Sequence, residues 1–120
     1  MAEKKIILVV DDDFEIRRDY IMFLGDKYNY LEADDGISAI EKVEENKSID
    51  LVITDNDMCM MDGIEAIPKI LEIRPELPII LATSRLFQPD KLDELGVNWY
   101  YNKNHHSLKQ LREMVSKYID

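Results

Sequence analysis

Polar residues that could do chemistry follow three apolar runs, each of strand length. The pair Asp11 and Asp12, the single Asp55 and the hydroxyl residue Thr83 each come directly after such a run. If the runs are neighbouring parallel strands, their carboxyl ends bring three carboxylates and a hydroxyl into one crevice, where open α/β sheets bind ligands. Crowded carboxylates repel one another and therefore need a hard cation. Mg²⁺, which prefers oxygen ligands, is the natural candidate.

The chain is acidic, with 15 Lys and Arg residues against 25 Asp and Glu residues and a formal net charge of −10 at pH 7. This charge argues against direct contact with nucleic acid, because binding to the phosphate backbone needs a surplus of Lys and Arg. For most of the acidic residues, a solvated surface is a sufficient explanation. The acidic crevice accounts for part of the surplus.

The length of 120 residues predicts a single domain over residues 1–120, with no output domain in this chain. Cys59 is the only cysteine, so no internal disulfide can form, and a reducing compartment is the simplest setting. The longest apolar runs have five residues, far short of a membrane span, and the amino terminus lacks a signal-peptide pattern. We therefore expect a cytoplasmic protein that does not enter a membrane.

Strand-like and helix-like patterns alternate five times along the chain. The predicted strands are Ile6–Val10, Tyr28–Ala33, Asp50–Thr54, Pro78–Thr83 and Val97–Tyr101. The predicted helices cover Phe14–Leu24, the residues Ile37, Ile40 and Val43, the residues Ile64, Ile67 and Leu71, the short segment Pro89–Leu95, and Leu108, Leu111, Val115 and Tyr118. Such alternation predicts an α/β fold in which helices cover both faces of a parallel sheet.

The composition of the strands predicts their order in the sheet. The first, third and fourth strands are nearly continuous in Ile, Leu and Val, as expected for strands buried on both faces. The second and fifth strands mix polar and apolar residues, as edge strands do. The predicted fold is therefore (βα)5, a doubly wound, flavodoxin-like parallel sheet of order 2-1-3-4-5. Its switch point lies between strands 1 and 3, beside the acidic residues.

These features together make the chain resemble a response-regulator receiver domain, the phosphoacceptor module of two-component and phosphorelay signalling. The resemblance covers essentially the whole chain. It is carried by four segments in order, at spacings like those of the family: Val9–Asp13, Leu51–Asp55 with its continuation through Met58 to Gly63, Ile80–Ser84, and Gly96 leading through Tyr100 to Lys103.

The resemblance implies a role for each acidic residue. Asp55 matches the aspartate that is phosphorylated, and Asp11 and Asp12 match the acidic pair that holds Mg²⁺. Asp57 falls at the position where the family uses a backbone carbonyl as a further metal ligand. The chain would be phosphorylated by a histidine kinase or a phosphotransfer protein, and it would catalyse only its own phosphoryl transfer and dephosphorylation.

The resemblance also implies a switch. Thr83 matches the hydroxyl that reaches the phosphoryl group, Lys103 matches the lysine of the site, and Tyr100 matches the aromatic switch position. The output surface would be the fourth helix, the fifth strand and the fifth helix, which would bind a downstream protein target. We expect a monomer or a weak dimer.

Several residues depart from the family pattern. Cys59 and Asn104 each replace a proline, and the second of these usually follows a cis peptide bond. Because a cis bond before another residue costs about 2.5–4 kcal/mol, we predict a trans Lys103–Asn104 bond and a rearranged loop. Asp57 and Arg85 flank the route that a water molecule takes to the phosphoryl group in the family, so our hypothesis is that they tune dephosphorylation.

Simpler interpretations of single residues also exist. Asp11 and Asp12 could only cap the first helix, and Tyr100 could only pack on an edge strand. His105 and His106 are expected in a solvated loop rather than in a metal site.

Two other functions stay open at this point. The first is a phosphorylation-independent adaptor, a pseudo-receiver that uses the fold as a binding module. The second is a small phosphatase with an aspartate nucleophile, for which 120 residues offer no cap insertion. The complete acidic set and Lys103 oppose the adaptor, and the lack of a cap insertion opposes the phosphatase.

Overall fold

A computed structural model describes residues 3–120, in which five strands alternate with five helices. The strands are β1 (Ile6–Val10), β2 (Asn29–Ala33), β3 (Ile49–Thr54), β4 (Ile79–Thr83) and β5 (Trp99–Asn102). The helices are α1 (Phe14–Leu24), α2 (Gly36–Glu45), α3 (Gly63–Ile73), α4 (Pro89–Leu95) and α5 (Leu108–Ile119). All neighbouring strands are parallel, and their order is β2-β1-β3-β4-β5, so the predicted fold is confirmed.

The core has two halves, one on each face of the sheet. Buried residues of α2 and α3 pack on one face, and buried residues of α1 and α5 pack on the other. Strand β4 is buried along its whole length, and β1 and β3 are nearly so, whereas β2 and β5 are partly exposed at the edges. Apolar composition therefore predicted the order of the strands because it follows their burial.

Two residues expected to face the core are exposed. Phe14, expected on the apolar side of α1, is 56% exposed, and Ile37 of α2 is 40% exposed. Both lie in the first turn of their helices, which follow the carboxyl ends of β1 and β2. The guanidinium carbon of Arg18 lies 5.1 Å from the centroid of the Phe14 ring. The buried residues of α1 are instead Tyr20 and Leu24.

Local sequence signals mark one end of each of the last two helices. Helix α4 has only seven residues and ends at Gly96, whose φ of 79° is left-handed, a conformation that glycine adopts without strain. Helix α5 begins with a capping box between Ser107 and Gln110. In residues 3–120, every helix falls short of the length and apolar content that a membrane crossing requires.

Candidate functional site

Asp11 and Asp55 are held at adjacent strand ends by the backbone of the sheet. The N–H of Asp11 donates to Ala33 O at 3.1 Å, and the N–H of Asp55 donates to Val10 O at 2.9 Å. Each bond continues a parallel ladder one residue past the end of β1 or β3. The two carboxylates are 1% and 8% exposed. They are thus fixed in a cleft at the switch point of the sheet, as the sequence predicted.

Asp12 completes an acidic cluster with these two residues. One carboxylate oxygen from each of Asp11, Asp12 and Asp55 lies within 4.8 Å of the others. Asp12 is exposed, so the cluster opens to solvent on one side. Three hard oxygen donors with an open side fit Mg²⁺, which keeps several waters when it binds to protein. The part played by the backbone carbonyl of Asp57 stays a prediction.

Lys103 bridges the two buried carboxylates. Its Nζ lies 3.0 Å from Asp11 Oδ2 and 3.3 Å from Asp55 Oδ2, and its side chain is only 20% exposed. The backbone N–H of Lys103 donates to Thr83 O at 3.0 Å, which extends the β4–β5 ladder by one residue. The ammonium therefore sits beside the expected nucleophile and partly neutralises the cluster.

The electrostatics of the cluster favour a bound cation. Burial raises the pKa of the Asp55 carboxyl, the charge of Lys103 opposes that shift, and the charge of Asp11 adds to it. Burial and the charge of Asp11 also raise the pKa of Asp12. Burial alone would lower the pKa of Lys103, but its hydrogen bond to Asp11 and the charges of Asp55 and Asp11 outweigh burial and raise it. The site carries more negative charge than one lysine offsets.

The loop between β3 and α3 is fixed by a residue that the sequence analysis overlooked. Asn56 is 1% exposed, and its Oδ1 accepts a hydrogen bond from the N–H of Ile64 at 3.0 Å. Its carbonyl accepts from the N–H of Gly63 at 2.9 Å. A Cβ at Gly63 would lie 2.6 Å from the carbonyl oxygen of Asp55, so only glycine fits this approach. The loop thus holds the backbone of Asp55 against the start of α3.

Arg85 joins the residues of the expected switch. Its N–H donates to Thr83 Oγ1 at 3.2 Å, and its carbonyl accepts from the hydroxyl of Tyr100 at 2.5 Å. Its guanidinium donates to Asp57 Oδ1 at 2.7 Å. In residues 3–120, no hydrogen bond joins Thr83 to Asp55. The structure therefore brings Thr83 and Tyr100 together through Arg85, whose pairing with Asp57 the sequence analysis did not foresee.

The loop after β5 agrees with one expectation and departs from another. The Lys103–Asn104 bond is trans, as predicted, since residues 3–120 contain no cis peptide bond. His106, expected to be solvated, is half-buried, and its Nδ1 accepts the N–H of Asn102 at 2.8 Å. The cap of α1 is Asp13, whose Oδ1 accepts the N–H of Glu15. Capping of α1 by Asp11 or Asp12 is therefore not their role.

Comparison with known families agrees with this geometry. A family model described as "Response regulator receiver domain" matches residues 7–116. The chain belongs to the response regulator receiver family. The match spans all ten elements apart from the first residue of β1 and the last turn of α5. The chain is thus a CheY-like receiver domain of a two-component response regulator.

Individual relatives span much or all of this receiver domain. It is 34% identical over 104 residues to "Chemotaxis protein CheY1" of Helicobacter pylori, covering 81% of this chain and 83% of that protein. A response regulator receiver protein from Pseudomonas putida is 29% identical, with a TM-score of 0.87 and coverage of 98% and 99%. Response regulator protein TrrA from Thermotoga maritima, solved with Mg²⁺ and BeF, is 30% identical, with a TM-score of 0.82 and coverage of 96% and 99%. The chain spans only about a fifth of two other curated relatives that it matches.

Proposed function

We propose that this receiver domain is phosphorylated on Asp55 in a Mg²⁺-dependent reaction and signals through a protein partner. The observation that carries the proposal is the position of the Asp55 carboxylate. It lies in a cluster of three carboxylates, and Lys103 Nζ lies 3.3 Å from its Oδ2. A nucleophile, a cation site and a fixed positive charge are the parts that phosphoryl transfer requires.

Each residue then has one task. A carboxylate oxygen of Asp55 attacks phosphorus, and the P–N bond of a phosphorylated histidine breaks as the P–O bond forms. Asp11 and Asp12 would hold Mg²⁺, which supplies charge neutralisation and orients the incoming phosphoryl group. Lys103 offsets negative charge on the phosphoryl oxygens. The donor of the phosphoryl group would be a histidine kinase or a phosphotransfer protein.

The hydrogen bonds around Arg85 suggest how phosphorylation would be read out. Thr83 Oγ1 accepts from Arg85 N–H, and the Thr83 hydroxyl proton is free to be donated to a phosphoryl oxygen. Movement of Thr83 would disturb Arg85 and, through its carbonyl, the hydroxyl of Tyr100. The expected consequence is a change on the surface of α4, β5 and α5, where a downstream protein would bind.

The relatives support this proposal. The TrrA structure contains Mg²⁺ and BeF, and the CheY1 match covers most of a whole chemotaxis protein. Cys59 and Asn104, which replace family prolines, are the residues that favour the adaptor alternative. The Lys103–Asn104 bond is trans, and the Lys103 ammonium nevertheless contacts the carboxylates of Asp11 and Asp55. This contact favours a phosphorylated receiver over an adaptor.

The test is intact mass after incubation with acetyl phosphate and Mg²⁺. We expect one added phosphoryl group on the wild type and none on Asp55→Ala or in the presence of EDTA. Asp93→Asn, which removes an exposed carboxylate of α4, is the matched control and should be modified like the wild type. A folded wild-type protein without an adduct would contradict the proposal and favour the adaptor.

A further inference from the structure

The loop that carries Lys103 is closed by hydrogen bonds to Asn102. The carbonyl of Asn102 accepts from the N–H groups of His105 at 3.1 Å and His106 at 2.8 Å. Its side-chain Oδ1 accepts from the N–H of Asn104 at 2.9 Å, and its Nδ2 donates to the hydroxyl of Tyr100 at 2.9 Å. Asn102 is only 3% exposed. The conformation of the loop therefore depends on where this buried residue is held.

His106 binds the backbone N–H of Asn102 on the side of β5 that faces away from β4. Successive N–H groups of a strand point in opposite directions, and that of Lys103 points inward to Thr83 O at 3.0 Å. The N–H of Asn102 must therefore point away from β4, and β5 is an edge strand with no neighbour on that side. The Nδ1 atom of His106 accepts this N–H at 2.8 Å. The imidazole thus provides the hydrogen-bond acceptor that a neighbouring strand would provide on this side of β5.

The hydrogen bond from Asn102 fixes the tautomer of the neutral His106 ring. Nδ1 can accept a hydrogen bond only when it carries no proton, so the proton of the neutral ring is on Nε2. The ring centroid lies 5.1 Å from that of Trp99 and 6.0 Å from that of Tyr101. Burial raises the pKa of Tyr101, so this phenol stays neutral wherever an imidazole titrates.

The Lys, Arg, Asp and Glu residues nearest to His106 along the chain are lysines. Lys103 lies in the same loop, and Lys109 lies in the first turn of α5. Among residues 3–120, no carboxylate forms an ion pair with His106. A proton on Nδ1 would therefore remove the hydrogen bond that His106 accepts from the N–H of Asn102.

We infer that His106 is a positioning residue for Lys103: its neutral imidazole anchors the end of β5 so that the Lys103 ammonium reaches Asp11 and Asp55. The inference rests on the proposed function, because it assigns His106 a task in phosphorylation of Asp55. Protonation of Nδ1 removes the acceptor, leaves the N–H of Asn102 unpaired and loosens the loop. The rate of Asp55 phosphorylation should therefore depend on the protonation of His106, which lies outside the proposed metal and phosphoryl sites.

The kinetic test compares His106→Asn, His106→Leu and the control His105→Asn between about pH 5 and 8, where histidine titrates. The probe is acetyl phosphate with Mg²⁺, and each variant is compared with wild type at the same pH so that the phosphodonor's own titration cancels. Leu has no acceptor and should slow phosphorylation by roughly tenfold, because the N–H of Asn102 is left without its partner. Asn places an oxygen where Nδ1 was and does not titrate, so it should rescue most of that loss.

The pH profile separates positioning from a general structural role. The rate of His106→Asn relative to wild type should rise as the pH falls, because only the wild type loses its acceptor. His105→Asn, which changes an exposed neighbour, should follow the wild type at every pH. A wild-type rate for His106→Leu, or a constant ratio between His106→Asn and wild type, would overturn the inference.

A second measurement tests the inference even if acetyl phosphate does not modify the protein. In that case the proposed function fails, but amide NMR of the full chain still reports on the loop. The amide signals of Asn102 and Lys103 should move together in one titration in the wild type and in His105→Asn. They should not titrate in His106→Asn. Signals of Asn102 and Lys103 that do not change with pH in the wild type would overturn the role of His106.

Discussion

The side chains of Asp57 and Arg85 give the dephosphorylation hypothesis a definite geometry. The guanidinium of Arg85 lies 2.7 Å from Asp57 Oδ1, and the two side chains are 61% and 45% exposed. The pair connects the loop after β3 with the loop after β4, on either side of the acidic cleft. We propose that the pair restricts the approach of water to a phosphoryl group on Asp55.

We predict that Arg85→Ala and Asp57→Asn each shorten the lifetime of the phosphorylated protein. The effect should be at most about fivefold, because exposed ion pairs contribute no more than about 1 kcal/mol. The measurement is loss of the phosphoryl adduct with time after the phosphodonor is removed. Added salt should shorten the wild-type lifetime toward that of the variants, since it screens exposed charges.

A double variant shows whether the two residues act as a pair. Arg85→Ala combined with Asp57→Asn should have the lifetime of either single variant, because the ion pair is already lost in each. Additive effects would mean that the two side chains act separately on the attacking water. Unchanged lifetimes in both single variants would refute the hypothesis altogether.

At the scale of elements, the end of α5 is tied to the start of β2 by Asp120. Its carboxylate accepts hydrogen bonds from Lys27 Nζ at 2.5 Å, Ser116 Oγ at 2.6 Å and Tyr28 OH at 3.0 Å. Burial alone would raise the pKa of Asp120, but these hydrogen bonds outweigh it and lower the pKa below its ordinary value of 3.8. A depressed pKa means that the charged carboxylate stabilises the folded state.

We predict that Asp120→Asn lowers the free energy of unfolding by about 1 kcal/mol at neutral pH, as expected for a partly exposed ion pair. The wild-type advantage is present above the ordinary pKa and is lost as the pH falls through the lower pKa of the folded state. Urea unfolding at neutral pH and at decreasing acidic pH measures the difference. An equal deficit at every pH would contradict the linkage, and Asp93→Asn should show no deficit at any pH.

The elements also show how far the sequence could predict this protein. Ile6–Val10, Phe14–Leu24 and Pro89–Leu95 were predicted to the residue, because apolar runs and flanking Asp, Pro and Gly mark local structure. The acidic residues of the site were placed correctly because each follows a strand whose position is fixed by burial.

What the sequence did not predict depends on contacts between distant loops. The hydrogen bond from Asn102 to His106 exists because β5 is an edge strand with one outward N–H to satisfy. The pairing of Arg85 with Asp57 requires two loops to meet across the cleft. No local sequence pattern marks either contact. The sequence therefore predicted the same solvated loop for His105 and His106, although their surroundings differ.

At the scale of the whole molecule, the net charge of −10 includes a cluster whose repulsion persists without a cation. The raised pKa of Asp12 changes stability with pH in the opposite direction to the lowered pKa of Asp120. Its charged form is unfavourable in the folded state, so its contribution to stability is lost as the pH rises through the raised pKa. The carboxylate of Asp12 would therefore favour the proposed metal binding but lower the stability of the metal-free protein.

We predict that Mg²⁺ stabilises the wild type and that Asp12→Asn removes most of this effect. Binding to the folded state alone adds about 2.7 kcal/mol at roughly 100 times Kd. In EDTA the variant should be at least as stable as the wild type, because Asp12 is exposed and its loss relieves repulsion by Asp11. Thermal unfolding in EDTA, in MgCl₂ and in NaCl of equal ionic strength measures both effects. Equal stabilisation by NaCl would mean that Mg²⁺ only screens the acidic surface, whereas a variant less stable than wild type in EDTA would mean that Asp12 supports the fold itself.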